Sequence, residues 1–279
     1  MRLVKGHGTE NDFLVLPDLD GAIDLTPAMV RALCDRHAGL GADGVLRVVA
    51  SANDPEAKEF ADAAPYFMDY RNADGSVAEM CGNGVRVFLQ YLISARLVDT
   101  DAAVATRGGI RRARARGDGN VTVKMGLPRF LADRPVATAA SSPPRPGTAL
   151  EIPNPHVIVP VDSVAELAGL DLSRPPVVDP PLPHGQNVEF VVRRGERHLQ
   201  LRVHERGVGE TRSCGTGICA VAVAAAQADG VGADGVPWRV DVPGGRCEVV
   251  WHPDGEVELT GPAVLVAEIE VDDEWLRRA

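Results

Sequence analysis

The stretch Cys81-Gly82-Asn83-Gly84-Val85-Arg86-Val87-Phe88-Leu89-Gln90-Tyr91-Leu92 decides the fold, because it returns as Cys214-Gly215-Thr216-Gly217-Ile218-Cys219-Ala220-Val221-Ala222-Val223. Similarity of a chain to itself marks a repeated structural unit. In the first copy Val85, Phe88, Leu89 and Leu92 fall at helical spacing on one face. In the second, Ile218 to Ala228 is apolar almost all round, as in a buried helix, and Gly230 stands where a helix closes. Each cysteine is therefore expected at a helix start.

The echo extends outward. Asn72 precedes Cys81 by the same interval as Glu205 precedes Cys214. Asn11, in Thr9-Glu10-Asn11-Asp12-Phe13, pairs with Asn154 of Pro153-Asn154-Pro155-His156, and Gly44 pairs with Asn187 at the same offset. The offset shortens before the cysteines, and the change falls at the polar stretch Ser51 to Pro65, which reads as a loop inserted in the first half. Two related halves are expected: residues 1–117 joined by a returning strand in 263–279, and residues 118–262. The boundary falls near Gly117-Asp118-Gly119, and the Pro-rich stretches Pro135–Pro146 and Pro175–Pro183 read as loops within the second half.

With 279 residues there is room for two ordinary domains, and aromatics at 4% with 29 Gly and 21 Pro favour short strands and turns over a helical bundle. A net charge of −10 argues against nucleic acid as a partner, since phosphates need a cationic surface. The Arg–Ala alternation of Arg107 to Arg116 reads as a half-exposed strand instead. No apolar run is long enough to span a bilayer, and the first residues lack a secretory pattern. Five cysteines at irregular spacing make no disulfide framework, so a reducing cytoplasm is the expected address. Lysine occurs only at Lys5, Lys58 and Lys124; the polar, loop-like setting of Lys58 and the strand pattern around Lys124 do not suit a pyridoxal Schiff base, and neither cofactor nor metal is expected.

A thiol at a helix N-terminus faces unpaired N–H groups and the positive end of the macrodipole, which favour the thiolate. Gly82, Gly84, Gly215 and Gly217 remove side chains so that backbone approaches a ligand, and two such helix starts make a cradle for a carboxylate. That arrangement suits inversion of an amino-acid α-carbon. A thiolate takes the α-proton from one face, a thiol returns one from the other, and N–H donors hold the charge spreading into the carboxylate. Cys34, Cys219 and Cys247 lack these neighbours and read as buried packing residues.

The segments Asn72-Ala73-Asp74-Gly75-Ser76 with Met80-Cys81-Gly82-Asn83-Gly84, and Glu205-Arg206-Gly207-Val208-Gly209-Glu210-Thr211 with Cys214-Gly215-Thr216-Gly217, closely resemble the two signatures of the diaminopimelate epimerase family. His7-Gly8 with Asn11-Asp12-Phe13, Asn154-Pro155-His156 and Gln186-Asn187-Val188 match its remaining motifs in order. The resemblance implies an α+β fold of two pseudo-symmetric domains, each a sheet curled around a central helix, with the active site in the cleft between them. It implies a cofactor-independent epimerase that interconverts LL- and meso-diaminopimelate, on the route to lysine and peptidoglycan. Cys81 and Cys214 would be the acid–base pair. Gly82, Asn83, Gly215 and Thr216 would hold the reacting carboxylate, and Asn11, Asn72, Asn187 and Arg206 the distal end of a diamino diacid. Asn154, His156 and Glu205 would lie beside the reacting centre, with His156 and Glu205 biasing the thiols.

Three positions depart from the family. Gly44 replaces a usual glutamine, Val87 a frequent cysteine, and Ala267 a tyrosine used in dimer packing, which leaves a homodimer open. A racemase of the same superfamily acting on proline or histidine is the nearest rival, and the four distal-end residues favour the diamino diacid over it. Proline racemases also tend to carry a histidine where this chain has Asn83. A thiol redox protein is disfavoured by the absence of a Cys-x-x-Cys motif, and a non-catalytic binding module by the presence of both cysteines.

Overall fold

The computed structural model describes residues 1–140 and 142–278. It comprises two compact units, Met1–Val123 with the stretch from Pro262 onward, and Lys124–Gly261. The division lies beyond the turn Gly117-Asp118-Gly119, because that turn is a hairpin whose second strand still pairs with the first.

In chain order the first unit carries β1 (Arg2–Gly8), β2 (Asn11–Pro17), α1 (Pro27–Cys34), β3 (Gly44–Ala50), β4 (Tyr66–Asn72), α2 (Gly82–Ser94), β5 (Asp101–Ala105), β6 (Arg111–Ala115) and β7 (Asn120–Gly126). The second carries β8 (Arg129–Phe130), β9 (Val136–Thr138), β10 (Arg145–Pro146), β11 (Thr148–Ile152), β12 (Asn154–Pro160), α3 (Val164–Gly169), β13 (Val177–Asp179) and β14 (Asn187–Gly195). It continues with β15 (His198–Glu205), β16 (Gly209–Thr211), α4 (Gly215–Ala228), β17 (Trp238–Val242), β18 (Gly245–Trp251) and β19 (Val257–Pro262). The chain then returns to the first unit as β20 (Val264–Glu270), followed by α5 (Asp273–Arg278). The returning strand thus stops at Glu270, because Asp272 caps a helical turn there; position 279 lies outside the described residues.

The repeat holds strand by strand. In the first unit β1–β2 is antiparallel, β2–β3 parallel, β3–β4 antiparallel, β4–β5 parallel, and β5–β6 and β6–β7 antiparallel. The second unit repeats that series with β11, β12, β14, β15, β17, β18 and β19. Register agrees as well: Phe13 faces Gly44 as His156 faces Asn187, and Val45 faces Arg71 as Val188 faces His204. The inserted stretch between β3 and β4 forms two short 3-10 turns, Ser51–Asn53 and Lys58–Phe60, where β14 and β15 are joined by a tight turn.

Each sheet wraps its own helix. α2 packs against β1 to β6 and β20, and α4 against β11, β12, β14, β15, β17 and β18. The sequences explain this burial. Val85, Phe88, Leu89 and Leu92 of α2 are buried, and in α4 the run Gly215 to Val223 is buried throughout. Gly230, at φ +71°, ends α4, with its N–H on Gln227 O.

The Pro-rich stretches are not simple loops. β9, β10 and β13 form a separate antiparallel three-stranded sheet over the core of Val157, Val159, Leu167, Leu172 and Phe190. Proline is tolerated there because the strands are short and Pro146 lies on an outer one. Arg111–Ala115 is the expected half-exposed strand, with Ala113 turned inward. Among the described residues no helix is long and apolar enough to cross a membrane.

Candidate active site

In the first unit Cys81 is the N-cap of α2, and its Sγ accepts the Gly84 N–H at 3.4 Å. Its thiol reaches Asn11 Oδ1 at 3.6 Å, and the same oxygen accepts from Asn83 Nδ2 at 3.2 Å. Asn11 is oriented from behind, since its Nδ2 donates to Asp43 Oδ2 at 2.7 Å and Arg36 bridges Asp43 and Asp12, each at 2.7 Å. Burial acts to raise the Asp12 carboxyl, but Arg36 and Lys5 outweigh it and hold it at about 2. Asp43 has the opposite balance: burial and the nearby Asp12 charge raise it despite the Asn11 bond. Arg86, fully buried, donates to Asn83 Oδ1 at 2.5 Å, Thr9 Oγ1 at 3.1 Å and Pro262 O at 3.1 Å.

In the second unit Cys214 is the N-cap of α4, and its Sγ lies 3.4 Å from Thr216 Oγ1 and 3.9 Å from Asn187 Nδ2. Asn187 is held by its Oδ1, which accepts the Arg206 N–H at 2.9 Å. His156 and Glu189 are both fully buried, with Nδ1 of the imidazole 2.7 Å from Glu189 Oε1; His156 Nε2 lies 3.3 Å from Asn154 Oδ1. Glu205 accepts from Thr211 Oγ1 and also hydrogen-bonds Cys214. Burial pushes its carboxyl up, against those two bonds. The Cys214 thiol is raised well above its ordinary value, first by burial, then by the charges of Glu205 and Glu189.

The structure therefore gathers Asn11, Cys81, Gly82 and Asn83 in one unit, and Asn154, His156, Asn187, Glu205, Arg206, Cys214, Gly215 and Thr216 in the other. Asn72 is turned elsewhere: at the end of β4, its Nδ2 donates to Ser76 Oγ at 3.0 Å. The exposed Arg206 guanidinium bonds His184 O. The Asn83 side chain faces inward to Asn11 and Arg86, which leaves its contribution to a ligand on the backbone.

Two sequence expectations are corrected. A helix start was expected to lower both thiols. At Cys214 the helical Gly217 N–H and Thr216 do lower it, but burial and two carboxylates win. Gly84 and Gly217 were expected to clear space for a ligand. A Cβ on Gly84 would instead lie 3.2 Å from Leu46 Cδ2, and one on Gly217 would lie 2.5 Å from Glu189 Oε1, so the strand beneath crowds both glycines, mildly at Gly84 and severely at Gly217. Gly44 follows the same logic, since a Cβ there would lie 2.4 Å from Arg71 O and 2.7 Å from the Tyr70 ring.

Glu189, Asp43, Arg86 and Thr211 were not singled out from sequence. Glu189 had a signal: a lone carboxylate two residues after Asn187, on the same face of an otherwise apolar strand. Asp43, next to Gly44, and Arg86, inside an apolar helix pattern, were readable in the same way.

Two matched halves, each setting a cysteine at the start of a helix wrapped by its own sheet, place the protein among the isomerases built on this duplicated fold. The family model described as diaminopimelate epimerase matches residues 3–131 and 148–266. The diaminopimelate epimerase of Streptomyces coelicolor is 55% identical over 282 residues, covering 98% of this chain and 96% of that protein. That of Thermobifida fusca is 50% identical over 277 residues, covering 97% and 98%. A solved phenazine biosynthesis protein of the PhzF family from Bacillus anthracis shares the fold, with TM-score 0.70 at 16% identity, over 98% of this chain and 99% of that one. The chain belongs to the diaminopimelate epimerase family.

Proposed function

We propose that the protein interconverts LL- and meso-2,6-diaminopimelate, with Cys81 and Cys214 acting on opposite faces of one α-carbon. The observation that carries this reading is the register-matched placement of the two cysteines as N-caps of two buried helices. One cysteine, as thiolate, takes the α-proton; the other, as thiol, delivers a proton to the opposite face. The electron pair left on carbon spreads into the carboxylate, which the N–H groups of Gly82, Asn83, Gly215 and Thr216 stabilise. Asn11, Asn72, Asn187 and Arg206 bind the distal amino acid, which is unchanged. His156 and Glu205 bias the thiols, and Asn154 holds the reacting centre with them. The two thiols supply both proton transfers, so the reaction as written calls for no cofactor. A cytoplasmic address suits an enzyme whose nucleophiles must stay reduced. A homodimer would use β20, where Val266 is exposed and Ala267 offers no aromatic anchor.

The test is incubation of reduced protein with LL-diaminopimelate in D₂O, following epimerisation and α-deuteration together. Deuterium should enter one centre as meso product forms, and Cys81→Ser and Cys214→Ser should each lose at least about 10²-fold in rate. Serine, a favoured N-cap residue, suits both helix starts, so a folded, inactive variant isolates the chemistry. Exchange with another amino acid and none with this one would move the substrate to the racemase rival.

A further inference from the structure

The two cysteine settings are equivalent in backbone and unlike in what lies beneath them. The register that pairs Val15 with Leu46 in the first unit pairs Ile158 with Glu189 in the second, so Leu46 and Glu189 are counterparts. Both reach the first turn of their helix, as the distances to a Cβ on Gly84 or Gly217 show. Phe13 and His156 are counterparts in the same register. The floor under α2 is thus Phe13 and Leu46, with no ionisable group, whereas the floor under α4 is an imidazole and a carboxylate, both fully buried. Glu189 Oε2 is buried and makes no hydrogen bond, while Oε1 accepts from His156. A buried carboxylate oxygen without a donor is costly to a fold that needs only packing there. The first unit packs the same position with leucine.

We propose that Glu189 is a positioning residue for Cys214: it holds His156 through Nδ1 and sets a negative charge under the first turn of α4, so the two cysteines ionise unequally. The proposal rests on the two-cysteine reading for its purpose but concerns a property of the thiols alone. The groups facing Cys214 are Glu205 on β15, Glu189 and Asn187 on β14, and Thr216 with the Gly217 N–H on α4. His156 on β12 faces both carboxylates. Among these only the two carboxylates oppose the thiolate by charge, and the first unit has neither: Asn72 stands in place of Glu205, and Leu46, under the first turn of the helix, in place of Glu189. Cys214 is then the better proton donor and Cys81 the better acceptor before substrate arrives.

The experiment is site-resolved alkylation of reduced, full-length protein by iodoacetamide across pH, with Cys81 and Cys214 read separately by peptide mass. Wild type should show Cys214 titrating above Cys81. In Glu189→Gln the Cys214 midpoint should fall by about one pH unit, equivalent to about tenfold faster alkylation below the midpoint, with Cys81 unmoved. Unmoved Cys214, or equal movement of both cysteines, would overturn the proposal. If Glu189→Gln does not fold by circular dichroism, Glu189→Asp is read instead. It keeps the charge one methylene farther from Gly217, and a Cys214 midpoint that does not fall overturns the proposal. Because no substrate is present, failure of the epimerase reading would leave this result standing, and the reverse holds.

Discussion

At Gly217 hydrogen is the only side chain the first turn of α4 accommodates, since an added Cβ would sit 2.5 Å from Glu189 Oε1. Gly84 is less constrained, with its nearest contact the flexible Leu46 Cδ2 at 3.2 Å. We therefore expect Gly217→Ala to cost about 1–3 kcal/mol of stability. In Gly84→Ala the better helix propensity, about 1 kcal/mol, offsets most of the crowding. Thermal melts of the two variants check the order, and equal losses would deny Glu189 its place under the helix. The glycines were legible in the sequence, but their cause was not. A Gly-rich turn reads the same whether a ligand or a neighbouring strand requires the space, and the contact of Glu189 with Gly217 follows only once β14 lies under α4. The opposite case is Asn11, legible from its repeat in Asn154, whose orienting partner Asp43 lies in a distant loop of the sequence.

At the scale of elements, the insertion between β3 and β4 is secured by charge. Arg107 joins Glu56 in the insertion to Asp69 on β4 and stacks 5.3 Å over the Phe67 ring. Burial acts to raise the Asp69 carboxyl, but Arg71 and Arg107 outweigh it and hold it below the usual range. A carboxyl depressed by folding stabilises the protein above its unfolded pKa, about 3.9, and loses that contribution as pH falls through the folded value. Asp69→Asn should therefore lower stability by about 3 kcal/mol near neutrality. The gap from wild type in urea melts should narrow on acidification towards pH 3. A gap independent of pH would assign the loss to packing. The insertion itself was readable, because the repeat offset changes across it. The small sheet of β9, β10 and β13 was not, since proline-rich strands of two or three residues carry no alternation to read.

For the molecule as a whole, the duplicated topology was the most legible feature, because cysteine, glycine and asparagine recur at matched offsets in both halves. The unit boundary was less so, since a hairpin turn and a link between units look alike in sequence. The first unit depends on β20, which pairs along β1 from Arg2 to His7, and on Val271, whose N–H bonds Met1 O. Truncation before Val264 should strip hydrogen-exchange protection from β1 while the second unit keeps its own. Uniform loss across both units would show that they unfold as one. The same return of the chain fixes an order of assembly during synthesis. Lys124–Gly261 is contiguous and has its full set of strands as soon as it clears the ribosome. The unit begun first must wait for the last-made strand, with the edge of β1 open in the meantime, an interval in which a nascent-chain chaperone has something to cover.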